Sequence, residues 1–118
     1  MLKATSIWDD THYEFGRFQL LPSEQLLLQD GLRIPLTFKA FRTLHVLVAN
    51  GGHLVDKEEI IAEVWAGSVI ETRNLTVTIH MIRKALGDTL KYPKYIQTVS
   101  NRGYRFLGVA RCTQVDPR

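Results

Sequence analysis

The spacing of apolar positions changes twice along the chain. Over residues 13–36 they recur at short, strand-like spacing: Phe15, Phe18 and Leu20 are separated by polar or small residues, then Leu26 and Leu28 precede Asp30-Gly31, and Leu32, Ile34 and Leu36 follow it. Alternation is the period of a half-covered strand. Asp-Gly between two such runs favours a hairpin, because both residues tolerate positive φ. Pro35 has no N–H and suits a sheet edge. Over residues 37–87 the spacing lengthens to the helical three and four. Phe41, Leu44 and Val48 share a face behind a capping Thr37, and Asn50-Gly51-Gly52 ends that helix. Asp56 and Glu59 have the spacing of a capping box; the second helix they open buries Ile60, Ile61, Val64 and Trp65 and stops near Gly67. The third begins near Thr72 and ends before Gly87. Residues 95–107 return to strand formers, Ile96-Gln97-Thr98-Val99 and Tyr104-Arg105-Phe106-Leu107, around a polar Ser100-Asn101-Arg102-Gly103 turn. Residues 1–12 are expected to be a flexible tail, 13–107 the domain, and 108–118 a tail or the start of a linker.

The third helix carries the informative pattern. Leu75, Ile79, Ile82 and Leu86 fall on one narrow stripe. At about 100° per residue, the opposite face holds Arg73, Val77, His80, Met81 and Lys84, flanked by Thr76 and Arg83 on one side and Asn74 and Thr78 on the other. That face contains no carboxylate, whereas a solvated helix face usually interleaves Glu with Lys. Val77 and Met81 have little reason to face water, but the thymine methyl of a major groove offers them apolar contact. The competing reading is a wholly buried helix. The interleaved cations oppose it, since buried charges need partners.

Charge sharpens the picture. Residues 1–71 hold six basic against ten acidic residues, whereas residues 72–111 hold eight basic against Asp88 alone. The basic half is either an ordinary solvated face or a surface for a polyanion. At 118 residues the chain is one domain. It has no apolar run of membrane-spanning length and no secretory signal core, so cytoplasm is the default location. A lone Cys112 excludes an internal disulfide and a multi-cysteine zinc site, and reads as a tail thiol. His45 lies beside the apolar face of the first helix and reads as a packing residue, with no second ligand at metal spacing. His12, His45, His53 and His80 are scattered, and neither a catalytic triad, a carboxylate pair nor a Gly-rich phosphate loop is visible. No enzyme, metal or cofactor is expected.

A helix about 10–12 Å across fits a major groove about 12 Å wide. Arginines flanking it reach phosphates, and a hairpin following it reaches the adjacent minor groove. That arrangement is a winged helix.

The chain resembles the OmpR/PhoB-type winged-helix DNA-binding domains of bacterial transcription regulators over roughly residues 13–107. The carriers are Leu36-Thr37, Asn50-Gly51-Gly52, Val64-Trp65, Arg73, Ile82-Arg83-Lys84-Ala85-Leu86-Gly87, Ile96-Gln97-Thr98-Val99 and Gly103-Tyr104-Arg105-Phe106, in this order. The resemblance implies an α+β fold with an N-terminal four-stranded antiparallel sheet, three helices and a C-terminal hairpin wing. It implies sequence-specific binding of double-stranded DNA, with the third helix (about 72–86) in the major groove and the wing (100–103) at the minor groove. Thr76, Val77, Thr78, His80 and Met81 match base-facing positions. Trp65, Arg73, Arg83, Thr98 and Tyr104 match residues that approach phosphates; Lys84, on the same cationic face, is expected to join them, and Arg102 at the wing tip to enter the minor groove. Many members carry arginines where this chain has His80 and Met81, so guanine readout is not implied there.

The Ser100-Asn101-Arg102-Gly103 wing is closer to the ToxR/CadC-like one-component regulators. Met1 stands about a dozen residues ahead of the module, where phosphorelay regulators carry a receiver. Both features point to a longer parent, membrane-anchored or not, with its sensor after residue 118. The loop at residues 66–71, with Val69 and Ile70, either plugs the core or touches RNA polymerase, as the resemblance implies for activators. Pairing of two copies on DNA is a further expectation. A winged helix used for protein–protein or RNA contact is the alternative.

Overall fold

The computed structural model describes residues 11–66 and 72–114. Four antiparallel strands come first: β1 (Thr11–Phe15), β2 (Phe18–Leu21), β3 (Leu26–Gln29) and β4 (Leu32–Arg33). The expected Asp30-Gly31 turn is present with both residues at positive φ. The alternation continues past it only briefly, because β4 is two residues long and Leu32 is 74% exposed. Within β3 it is Leu27, not Leu26 or Leu28, that faces the core, opposite the fully buried Leu20.

Helix α1 (Phe38–Ala49) begins where Thr37 accepts a hydrogen bond from the Ala40 N–H at 3.1 Å. Helix α2 (Lys57–Val64) opens with the Asp56/Glu59 capping box and ends one residue before Trp65. Helix α3 (Thr72–Leu86) lies across α1 and α2. Between α1 and α2 runs a short strand, β5 (Leu54–Asp56), which the sequence pattern does not show. It pairs with the second strand of the wing, so β6 (Ile96–Val99) and β7 (Gly103–Phe106) form a three-stranded sheet in the order β5-β7-β6. Gly103 is required there, since a Cβ would run into the Val55 carbonyl oxygen.

One expectation is corrected. Within residues 108–118, read as a tail or linker, Arg111–Gln114 form β8 and pair with β1 (Tyr13 opposite Cys112, Glu14 opposite Arg111). The four N-terminal strands thus become a five-stranded sheet, β4-β3-β2-β1-β8. Thr11 and His12, read as tail, belong to β1. Arg111, Cys112 and Thr113 are exposed. Three successive exposed side chains leave no alternation to read, and β8 pairs with an edge that β1 offered.

The core lies between the two sheets and the helices. Phe15 stacks near Phe18 (5.5 Å between centroids) and meets Phe106 edge-on at 5.0 Å, so the first sheet touches the wing through aromatic rings. His45 is 2% exposed beside Tyr13 and Phe41, a packing position as expected, and burial pushes its pKa down to about 4.

Candidate nucleic-acid interface

Helix α3 owes its two faces to its apolar period. Leu75, Ile79, Ile82 and Leu86 are buried, which turns Arg73, Thr76, Val77, His80, Met81 and Lys84 outward, all exposed. Its fifteen residues include no carboxylate and span about 22 Å at 1.5 Å per residue. Val77 is 50% exposed and Met81 36%, so the wholly buried alternative fails. Two apolar side chains stand in water amid cations and hydroxyls.

Two of the expected contact residues do not stand on that face. Thr78 is 7% exposed and its hydroxyl donates to the Asn74 carbonyl at 2.8 Å. It lies about 60° from the apolar stripe, close enough for packing to cover it. Arg83, on the other flank, is 9% exposed. Its Nη2 donates to the Ile96 carbonyl at 2.9 Å and to the Thr98 hydroxyl at 2.7 Å. Burial lowers the guanidinium pKa, partly offset by Asp88 and Tyr104, and the group stays charged. Geometry thus directs Arg83 at the wing.

The wing stands beside α3. Thr98 and Tyr104 face each other across β6 and β7; Thr98 is exposed, Tyr104 buried. Thr76, His80, Arg83, Lys84, Thr98 and Tyr104 line a groove of about 700 Å³ between helix and wing. At the tip, Asn101 takes the left-handed conformation at φ 62, and the Arg102 N–H donates to the Val99 carbonyl at 3.0 Å. The Arg102 side chain is 62% exposed, with Nη2 3.7 Å from Asp56 Oδ1. The Lys57 N–H donates to the Arg102 carbonyl at 3.0 Å, so the tip rests on the start of α2. Trp65 is 8% exposed at the end of α2, and the Lys39 ammonium lies 5.9 Å from its ring. Of the 66–71 loop, residues 67–71 lie outside the described residues.

Three contacts of this region escape a sequence reading: Lys39 with Trp65, Asp56 with Arg102, and Asp88 with the start of β6. Lys39 and Asp56 gain their roles only when α1 and β5 meet Trp65 and the wing. Asp88 did leave a signal, as the single acid among eight basic residues, but its partners lie six to eight residues on.

The arrangement matches known proteins. The family described as "Transcriptional regulatory protein, C terminal" matches residues 31–106. The transcriptional regulatory protein KdpE of Mycobacterium tuberculosis is 36% identical over 81 residues, covering 68% of this chain and 36% of that protein. The transcriptional activator CadC of Escherichia coli is 28% identical over 93 residues, covering 78% of this chain and 18% of that protein. The chain therefore spans about a third or less of these relatives. Among solved structures, the RstA DNA-binding domain of Klebsiella pneumoniae, in complex with the RstA box, superposes with a TM-score of 0.73 at 26% identity, covering 81% of this chain and 96% of that one. Thermotoga maritima DrrB, an OmpR/PhoB homolog, gives 0.75 at 32% identity, covering 82% and 44%. The chain belongs to the OmpR/PhoB-type C-terminal domains of transcriptional regulatory proteins.

Proposed function

We infer that this domain is the sequence-specific, double-stranded DNA-binding part of a bacterial transcription regulator, with α3 in the major groove and the wing at the minor groove. The observation that carries the reading is the outer face of α3: cations, hydroxyls and two exposed apolar side chains with no carboxylate. Thr76, Val77, His80 and Met81 are the base-facing set. Val77 and Met81 suit thymine methyls, and His80 and Thr76 suit hydrogen-bonding base edges. Arg73 and Lys84 hold phosphates, with Thr98, Tyr104 and Trp65 offering hydrogen bonds to the backbone beside them. Arg102 enters the minor groove. Contact with RNA polymerase through residues 66–71 and pairing of two copies on one operator belong to the same reading; membership in a regulator family supports both.

Selection of bound duplexes from a random pool supplies the operator, and binding to it is then followed against salt. Affinity falls steeply with salt, and Arg73→Ala weakens every sequence alike while reducing the log–log slope by about 1. A slope unchanged by that substitution removes Arg73 from the interface. Binding without salt dependence or sequence preference overturns the DNA reading and favours a protein-contact module.

A further inference from the structure

Helix α3 is followed by an acid that its own stability does not ask for. Gly87, at φ 70, turns the chain back, so the Gly87 N–H donates to the Lys84 carbonyl at 3.3 Å and the Asp88 N–H to the Arg83 carbonyl at 2.8 Å. This is the Schellman pattern, in which glycine removes the Cβ penalty of the left-handed step. It leaves a carboxylate just beyond a helix C-terminus, where the helix dipole disfavours negative charge. The Asp88 carboxylate is instead filled with backbone donors: the Lys94 N–H at 2.7 Å, the Tyr95 N–H at 3.1 Å and the Ile96 N–H at 2.9 Å.

Arg83 completes the arrangement from one turn earlier. Its Nη2 takes the Ile96 carbonyl at 2.9 Å. Both backbone polar groups of Ile96 are thus held by the end of α3, the N–H by Asp88 and the carbonyl by Arg83. Ile96 is the first residue of β6, and β6 is the edge strand of the wing sheet, with β7 on its other side. Among the described residues, no strand pairs with the outer edge of β6, and this clamp is what holds it at that point.

We propose that Asp88 and Arg83 are positioning residues for specificity: they fix the wing to the recognition helix, and so set the distance between the base contacts of α3 and the minor-groove contact of Arg102. This rests on the reading of the wing given above. Leverage is the reason the clamp matters. From Ile96 to Val99 the strand rises about 10 Å at about 3.3 Å per residue, so a tilt of about 10° at the clamp moves the tip by about 2 Å. A working contact tolerates about 0.5 Å. The anchors of the tip on α2 and β5 oppose such a tilt at the other end, and the two ends together define one wing angle.

The test measures the loss of affinity caused by Arg102→Ala for the selected duplex, first in the wild type and then in Asp88→Ala. In the wild type the loss is about tenfold or more. In Asp88→Ala it shrinks to within about twofold, while the loss caused by Arg73→Ala is the same in both backgrounds. A merely structural role would scale both losses together. Amide exchange at Ile96 speeds up in Asp88→Ala, which reports the clamp directly. Where Asp88→Ala does not fold, Asp88→Asn carries the test: it keeps one acceptor oxygen and gives an intermediate Arg102 effect. If Arg102→Ala costs as much in the Asp88 variants as in the wild type, the clamp does not position the wing and the proposal falls. If Arg102→Ala costs nothing even in the wild type, the wing does not read DNA, and the proposal falls together with that reading.

Discussion

The two sheets are built from the same antiparallel pairing but are held by different forces. The five-stranded sheet is fixed chiefly by apolar burial: Phe15, Phe18, Leu20 and Leu27 are at most 3% exposed. The wing sheet buries Ile96 and Phe106 as well, but its outer strand is also tied to α3 by the directional bonds of Arg83 and Asp88. Burial is strong but nondirectional, and hydrogen bonds to charged groups are weaker but fix geometry. The first sheet therefore carries stability and the second carries placement. Charge divides similarly, since the half containing β1 to β4 has the acidic excess and the half containing α3, β6 and β7 the basic one.

The largest effect expected is on the first sheet. Phe15→Ala empties a site in contact with three other aromatic rings and costs about 3–5 kcal/mol in urea unfolding. Sequence preference of the remaining folded protein stays as in the wild type; an altered preference would show that the two sheets do not divide the work.

His45 tests the same side through pH. Its imidazole is held neutral in the fold, with a pKa of about 4 against 6.5 when free. The unfolded chain therefore binds a proton first as pH falls. Stability is complete above pH 6.5 and declines as pH drops from 6.5 toward 4, by about 3 kcal/mol in all at about 1.4 kcal/mol per unit. Denaturant titrations at a series of pH values should show this decline, and His45→Leu should flatten it.

On the wing side the expected losses are in binding. Arg102→Ala weakens sites with A·T-rich flanks by about 1–3 kcal/mol, because a narrow minor groove concentrates negative potential. Exchanging those A·T pairs for G·C costs the wild type and leaves the variant nearly indifferent. Equal losses in both would make Arg102 a phosphate contact at most. Unfolding free energy changes by less than about 1 kcal/mol, since the pair with Asp56 is solvent-exposed.

The smallest effect sharpens the division from the scaffold. Thr37→Ala removes the α1 cap and costs about 1 kcal/mol of stability. Competition binding with scrambled duplexes should find specificity unchanged; a shift would draw the start of α1 into the recognition surface.

Much of the molecule was legible because its signals are local. Thr37, the Asp56/Glu59 pair, the Asp30-Gly31 turn and the glycine after Leu86 each act through neighbours within a few residues. The stripe through Leu75, Ile79, Ile82 and Leu86 determined which side of α3 is buried, and with it the exposed set Arg73, Thr76, Val77, His80, Met81 and Lys84. At the edges of the stripe periodicity stops deciding. Thr78 and Arg83 stand there, and the packed fold drew both inward. Strand β5 is three residues long, too short for a period to appear, and β8 exposes Arg111, Cys112 and Thr113 alike, so no alternation marks it; both pair with edges that β7 and β1 offered. The clamp on Ile96 joins residues eight and thirteen positions apart through a turn. The sequence by itself determined the three helices, the strands around the two turns and the recognition face, whose causes are period, capping and turn chemistry. Only the tertiary structure decided which edges pair, which flanking side chains are covered and how the wing is fixed to the helix, because each depends on surfaces that meet only after the elements have packed.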